Sequence, residues 1–452
     1  MSDYHKKGND SLSKNQLKKE IGFSGALSTV MGTVIGAGVF FKTAAVVSHT
    51  QSAGLTLFAW AFAGFLTICG GLTVAELATA IPETGGPIKY IEVAYGKMPS
   101  FLLGWAQSII YFPANIAALS IIFATQLIHL FQLNNQILVP LAMATALSVT
   151  IINLLGTRLA AGVQSVTLFI KLLPILVIVL AGFWAPSNVA VSLTDLSVQA
   201  DKSWAEGFSS ALLATLFAYD GWLNVGNMAG EMKKPVKDLP KAIILGLTFV
   251  TFVYWIINLV YLKTLPANQI AGNLNASSDV AMHLFGQQGG KIVTIGILIS
   301  VYGALNGYTM TGIRVPFALA VKGEFPFSRY YKKISKNFKI PYVSALSQLV
   351  IACVMMTLGT FDLLTDMLVF VMWLFSVLIF IAVFILRKRM PEMPRPYKVP
   401  LYPLIPLIAI AGGSFILLMT LLTTPELAFT GIGITVIGIP VYYYRKHKVA
   451  KV

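Results

Sequence analysis

Three features of this chain set chemistry where its surroundings disfavour it. Lys171 in "SVTLFIKLLPIL" and Asp220 in "LLATLFAYDGWLNVGNMAGE" are ionisable groups within apolar runs. "GTVIGAGVF", residues 32–40, places Gly32, Gly36 and Gly38 inside another such run. Glycine costs about 1 kcal/mol against alanine in a helix interior. Gly32 and Gly36 form a G-x-x-x-G pair, a spacing that lets two helices approach closely. Gly38 escapes that explanation, because residues two apart on a helix point about 200° apart. The small residues at 36–38 instead predict a helix that unwinds. Backbone groups freed at membrane depth are tolerated only where they are buried in protein or line a cavity. An aspartate at such depth costs roughly 2.5–3.5 kcal/mol on insertion scales, and it marks a functional site by default. Asp220 has two readings: it binds a ligand directly, or it accepts N–H groups freed by a second break and stabilises that turn. Lys171 lies seven residues past Gln164, about 10 Å along the axis, and either snorkels part of that way or meets a buried partner.

The elements that must position these groups are membrane helices. The chain has 452 residues, of which 56% are hydrophobic and only 11% charged; soluble domains carry about 25% charged residues. Twelve apolar runs long enough to span a bilayer fall at about 22–47, 53–80, 101–131, 136–155, 161–184, 206–230, 241–263, 291–318, 342–360, 363–386, 401–422 and 425–444. Lipid forbids unpaired backbone, so they are expected to be helices. No alternating strand pattern competes.

Threading the spans from a cytoplasmic N-terminus puts 28 of the 33 Lys and Arg on the inner side. Lys42, Lys202, Lys263 and Lys291 fall on the outer side, and Lys171 within the membrane. This is the positive-inside bias. It places both termini, residues 1–20 and 445–452, in the cytoplasm at the plasma membrane. It also accounts for the net charge of +15 through anionic inner-leaflet lipid, without a nucleic-acid partner. The first twenty residues, polar and basic, read as a tail or a surface helix rather than a processed signal. Cys69 and Cys353 lie in separate spans, and the five histidines show no metal-ligand spacing. No disulfide, metal or cofactor is expected. No catalytic constellation recurs within the spans, which disfavours an embedded enzyme, and no soluble signalling domain supports a receptor.

Four stretches in register resemble the amino acid–polyamine–organocation superfamily. "GTVIGAGVF" resembles its G-[ST]-x-I-G-[SA]-G-[IV]-F signature, and "AELATAIPETGGPIKYIEVAYG" its second-span segment. "FAYDGW" with "GEMKKPVKDLPKAI", and "ALNGYTMTGIRVPFALAVKGEFP", resemble the sixth-span and eighth-span regions of L-amino-acid transporters. The match looks closest to the bacterial serine/threonine-exchanger branch. It implies twelve helices with broken helices 1 and 6. Spans 1–5 (21–184) and 6–10 (206–386) would form an inverted repeat, with helices 11–12 (399–444) appended.

The resemblance also implies a site. Backbone N–H groups of Gly36, Ala37 and Gly38 would hold an amino acid's α-carboxylate, at the positive start of a half-helix. Carbonyls of Ile35 and of Phe217, Ala218 and Tyr219 would hold the α-ammonium, with Asp220 beside them. Phe217 would be an outer gate. Trp373 and Tyr111 would approach the cargo side chain, unless Trp373 packs in the core and Tyr111 with Pro113 only kinks its helix. Lys171 matches a lysine that replaces sodium in sodium-independent relatives, with carbonyls at Thr33–Ile35 and the Tyr308 hydroxyl as partners. Glu76, Glu83 and Lys89 read as gate or loop-anchoring groups. The loop "HLFQLNNQ" carries no cysteine, so a disulfide-linked ancillary subunit is not expected. The expected function is sodium-independent exchange of neutral amino acids, with proton-coupled symport as the alternative.

Overall fold

Long apolar runs leave the backbone no partner but itself in lipid, and the chain answers with helices almost throughout. A computed structural model describes residues 21–81, 85–187, 189–198, 202–223 and 232–449. The helices are α1 Phe23–Val34, α2 Gly38–Thr50, α3 Ala53–Ala80, α4 Gly86–Tyr95, α5 Lys97–Ala106, α6 Phe112–Phe131, α7 Leu138–Leu154, α8 Thr157–Ile170 and α9 Leu172–Trp184. They continue as α10 Trp204–Ala218, α11 Pro235–Thr264, α12 Ala276–Gly312, α13 Arg314–Val321, α14 Tyr342–Leu358, α15 Phe361–Arg389, α16 Leu404–Thr423, α17 Pro425–Val436 and α18 Gly438–Val449.

Each of the twelve expected spans coincides with helix. Among the described residues nine stretches are long and apolar enough to cross a membrane, or ten with the bent pair α1–α2. The remaining two are the shorter α14 and α10, and residues 224–230 of the sixth span lie outside the described residues. The eighth span differs most in its bounds. Its helix starts at Ala276, well before 291, because the chain bends at Gly286 (φ 69°) and stays helical on both sides.

The unwinding expected at 36–38 is present. Helix α1 ends at Val34, Ile35 is extended (φ −69°, ψ 105°), and α2 restarts at Gly38 with its axis turned by 47°. The glycines divide the work differently from the sequence reading. A Cβ on Gly38 would stand 2.5 Å from Ala218 Cα, whereas one on Gly36 would meet nothing closer than Val34 O at 3.8 Å. Gly38 therefore lets α2 cross the end of α10. A Cβ on Gly221 (φ +102°) would lie 2.7 Å from Thr33 O, so the turn after α10 in turn crosses the end of α1. Around this crossing α11 packs along α1 and α3, and α12 along α6 and α8.

Two charged clusters tie α15 to the rest. At one end Glu76 of α3, itself buried, takes a bidentate pair from Arg387 (2.8 and 2.6 Å) and the Val399 N–H (2.8 Å). At the other end lies a correction. Lys42, counted above among outer-side lysines, is 0% exposed within α2 and bonds Asp362 and Asp366 of α15. A lysine near a span end reads from sequence as a solvated terminus. Here two carboxylates some 320 residues away hold it inside. Glu83 lies outside the described residues, and Lys89 pairs with Glu92 at 3.4 Å.

Gly38→Ala should destabilise the protein by about 1–3 kcal/mol, as overpacking of a tight crossing does. Thermal unfolding of the purified variant in detergent checks this, with Gly36→Ala expected to unfold near the parent temperature.

Candidate functional site

The first break exposes two kinds of backbone group. No backbone carbonyl among the described residues accepts from the N–H groups of Gly36, Ala37 or Gly38. These stand at the start of α2, where a helix offers unpaired donors and positive partial charge. The carbonyls at the end of α1 find partners from other helices. The Lys171 ammonium donates to Gly32 O (2.5 Å) and Ile35 O (2.7 Å). Lys171 occupies the junction of α8 and α9 and is 8% exposed.

A second group had no signal in the sequence. Tyr254 of α11 is fully buried, and its hydroxyl lies 3.0 Å from Val34 O and 3.1 Å from Ala218 O. One proton is shared between the last carbonyls of both helix halves. The ring packs edge-on against Trp60 and Tyr219. In "TFVYWIINL" this tyrosine looks like any aromatic of an apolar span; only the crossing of α1 and α10 gives it a role.

The break after α1 and the turn that ends α10 border a cavity of about 200 Å³. Its walls are residues 32–38, Phe217, Ala218, Asp220 and Gly221, closed by Gln164, Thr167 and Lys171 of α8–α9 and by Gly303, Ala304, Gly307, Tyr308, Met310 and Thr311 of α12 and the residues around it. At about 30 Å³ per water in the liquid, there is room for roughly half a dozen, enough for a small amino acid. Gly303 and Gly307 bring α12 against Thr167 and Gln164, because a Cβ at either would touch those side chains.

Of the expected residues, the structure gathers Ile35, Gly36, Ala37, Gly38, Phe217, Ala218, Asp220, Lys171 and Tyr308 on this wall. Tyr219 turns its ring away, and its hydroxyl donates to Trp60 O at 2.9 Å. Trp373 is not on the wall. It is buried against Phe380 and Gly413, in the core. Trp222 stacks on the same Phe380. Tyr308 is not a partner of Lys171 but donates to Asp220 Oδ2 at 3.0 Å. The ammonium already has two carbonyls, and a phenol proton is better placed on a carboxylate.

Tyr111 joins the same oxygen at 2.5 Å. It gets there through a widened π-helical turn over Gln107–Tyr111, just before Pro113. Pro113 has no N–H to give the preceding turn, which favours such a widening. Asp220 thus accepts two phenols.

The carbonyls expected to hold an ammonium are already partly engaged. Ile35 O accepts Lys171, Phe217 O accepts the Asp220 N–H at 3.2 Å, and Ala218 O faces Tyr254. Each keeps a second lone pair. Among the described residues no cluster of three or more His, Cys, Asp or Glu is arranged to hold a metal, and both cysteines are free.

A helical membrane protein whose first span is broken at a glycine-rich turn, with a second helix ending against that turn, belongs to the carrier class. The chain is a member of the amino acid permease family, whose profile matches residues 21–442. It is 41% identical over 437 residues to the serine/threonine exchanger SteT of Bacillus subtilis, covering 96% of this chain and 99% of that one. It is 29% identical to the human cystine/glutamate transporter over 441 residues, covering 95% of this chain and 86% of that one. It is also 29% identical to the human large neutral amino acids transporter small subunit 2, over 96% of this chain and 82% of the relative.

Lys171→Ala leaves the Gly32 and Ile35 carbonyls without their donor. The expected outcome is normal membrane insertion with substrate affinity or turnover reduced roughly tenfold, the scale of one hydrogen bond to a charged group. Uptake kinetics alongside surface labelling measure both.

Proposed function

We propose that this chain is a carrier, not an enzyme, which exchanges small neutral L-amino acids such as serine, threonine and alanine across the cell membrane by alternating access. The observation that carries the reading is the cavity where the break after α1 meets the end of α10, with N–H groups that lack a backbone acceptor on one side and carbonyls on the other. The likeness to a serine/threonine exchanger over nearly the whole chain supports it. The carboxylate of the cargo sits on the N–H groups of Gly36, Ala37 and Gly38. Its ammonium takes the remaining lone pairs of Phe217, Ala218 and Tyr219 in preference to Ile35, where the Lys171 charge repels a second cation. Hydrogen bonds to charged groups contribute about 1.5–3 kcal/mol each. After ordering costs, a few of them give binding near −8 to −4 kcal/mol, micromolar to millimolar, and a carrier must also release its cargo.

Two further points belong to the same proposal. The termini lie in the cytoplasm, as the lysine and arginine distribution supports, and residues 21–184 and 206–386 act as two inverted repeats. Lys171 supplies the positive charge that a bound sodium would otherwise bring to the end of α1, so transport is independent of sodium. Replacing sodium by choline should leave uptake unchanged; a strict sodium requirement would overturn this role.

The carboxylate site predicts that ethanolamine, which lacks that group, competes poorly with serine for uptake, and equal competition would remove the site. Gly36→Val points a branched side chain into the cavity, since nothing else faces its Cβ, so that variant should insert normally yet transport less than a tenth as fast by the scale of one lost charged hydrogen bond, ~2 kcal/mol. Exchange predicts that uptake into proteoliposomes needs amino acid inside. Undiminished uptake into empty, proton-energised vesicles would instead favour symport.

A further inference from the structure

The loop between α13 and α14 carries charged and apolar groups that the site does not use. Residues 322–339 hold six cations, Lys322, Arg329, Lys332, Lys333, Lys336 and Lys339, against one acid, Glu324. Interleaved with them are Phe327, Tyr330, Ile334 and Phe338, which are 72%, 51%, 46% and 47% exposed. A solvated loop that only obeys the positive-inside bias accounts for the lysines. It does not account for four large apolar side chains exposed at every third or fourth position. Lysine stems beside aromatic rings suit a boundary between lipid headgroups and acyl chains.

The loop is tied down while these groups stay exposed. Arg445 of α18 donates to Gly323 O at 2.8 Å and to Ser328 Oγ at 3.1 Å. The Ser335 N–H donates to Ile340 O at 2.8 Å. Phe327 is held at φ +52°, a conformation that a bulky residue keeps only where its surroundings impose it. Phe325 turns inward instead. It is 3% exposed and packs on Tyr331 and on Trp105 of α5, with ring centroids 4.8 and 5.9 Å apart. Just after Trp105 comes the π-helical turn that brings Tyr111 to Asp220. On its other side the loop follows α13, which continues α12, the helix of Tyr308. Both phenols on Asp220 thus belong to elements that this loop joins. Helices α12 and α13 together make one stretch long and apolar enough to cross a membrane, and α14 returns after the loop. The loop therefore lies at the membrane edge.

We infer that residues 322–339 dock anionic phospholipid: the lysines take lipid phosphates of the inner leaflet, Phe327, Tyr330, Ile334 and Phe338 enter its acyl chains, and the docked loop holds Trp105 and α13 so that Tyr111 and Tyr308 stay on Asp220. Charge complementarity selects the occupant. The lysine and arginine distribution puts this loop on the cytoplasmic side, where the leaflet is anionic and each cation near it adds about fivefold to binding. A soluble polyanion would satisfy the lysines and leave four apolar groups in water. A lipid satisfies both. The docking itself does not depend on the reading of the cavity as the cargo site; its effect on exchange rests on that reading.

The test uses the full chain with Cys69 and Cys353 replaced and a bimane label on Ile334→Cys. It is reconstituted in vesicles of phosphatidylcholine with or without phosphatidylglycerol. Phosphatidylglycerol brominated along its acyl chains should quench the label strongly, and brominated phosphatidylcholine alone should quench it weakly. Serine exchange by the unlabelled chain, per reconstituted molecule, should run roughly fivefold faster with phosphatidylglycerol, the weight of one cation at an anionic surface. Combining Lys332→Gln, Lys333→Gln and Lys336→Gln should abolish the phosphatidylglycerol-dependent part of both readouts, while Lys332→Arg, Lys333→Arg and Lys336→Arg together keep it. Phe327→Ser with Phe338→Ser, which leaves every charge in place, should weaken quenching as well. A merely structural role for the lysines would lower exchange equally in both lipids. Equal quenching by the two lipids would overturn the dock, and so would inorganic phosphate that speeds exchange in phosphatidylcholine without any quenching. Lipid-independent exchange beside intact quenching would overturn the hold on the two phenols. Absence of serine exchange in every vesicle would overturn the cargo reading, and quenching would still decide the dock.

Discussion

Everything at the centre of this protein follows from one constraint: backbone groups freed in the middle of a membrane must find partners there. Stopping α1 at Val34 leaves carbonyls at its end and N–H groups at the start of α2. In water these would cost little. At membrane depth each unsatisfied group costs several kcal/mol. The fold meets the carbonyl half of that demand with two side chains brought from elsewhere, the Lys171 ammonium on Gly32 and Ile35 and the Tyr254 hydroxyl on Val34 and Ala218. The Gly36 N–H meets the Tyr254 hydroxyl, while the Ala37 and Gly38 N–H groups have no backbone acceptor among the described residues and border a cavity. The asymmetry makes a site: carbonyls partly engaged by the protein, N–H groups without a backbone acceptor, and room between them for a small molecule carrying both charges.

The same constraint explains the glycines. A broken helix needs a neighbour close enough to bury its loose ends. Gly38 admits Ala218 and Gly221 admits Thr33, so the break after α1 and the end of α10 shield one another. Lys171 must then sit at a helix junction, and α12 must approach α8 through Gly303 and Gly307, or the ammonium would have open space behind it.

Much of this was legible in the sequence, and the limits are instructive. The spans were readable because an apolar run of bilayer length has few alternatives to helix. The first break was readable because small residues at 36–38 cannot serve one packed face. Lys171 is readable because a charge in an apolar run must have a partner, although Tyr308, expected beside it, serves Asp220. Trp373 was carried toward the cavity by likeness alone, and packing placed it elsewhere. Tyr254 and Lys42 were missed for one reason. A residue's local pattern says nothing of a partner reached only through tertiary contact. Tyr254 looked like core, and Lys42 looked like the end of a span.

The two ends of α15 differ in kind. At the Glu76 end the helix is fastened by a bidentate arginine and a backbone N–H, with the carboxylate almost wholly enclosed. At the Lys42 end the two carboxylate side chains are 40% and 18% exposed. A rod pinned at one end and clasped at the other is a lever. At 1.5 Å per residue, its 29 residues measure about 43 Å. A tilt of about 8° at the pinned end would carry the far end about 6 Å by that length, more than one helical turn of clearance. By this geometry a small rotation at the Glu76 end of α15 would become a wide displacement at its Lys42 end.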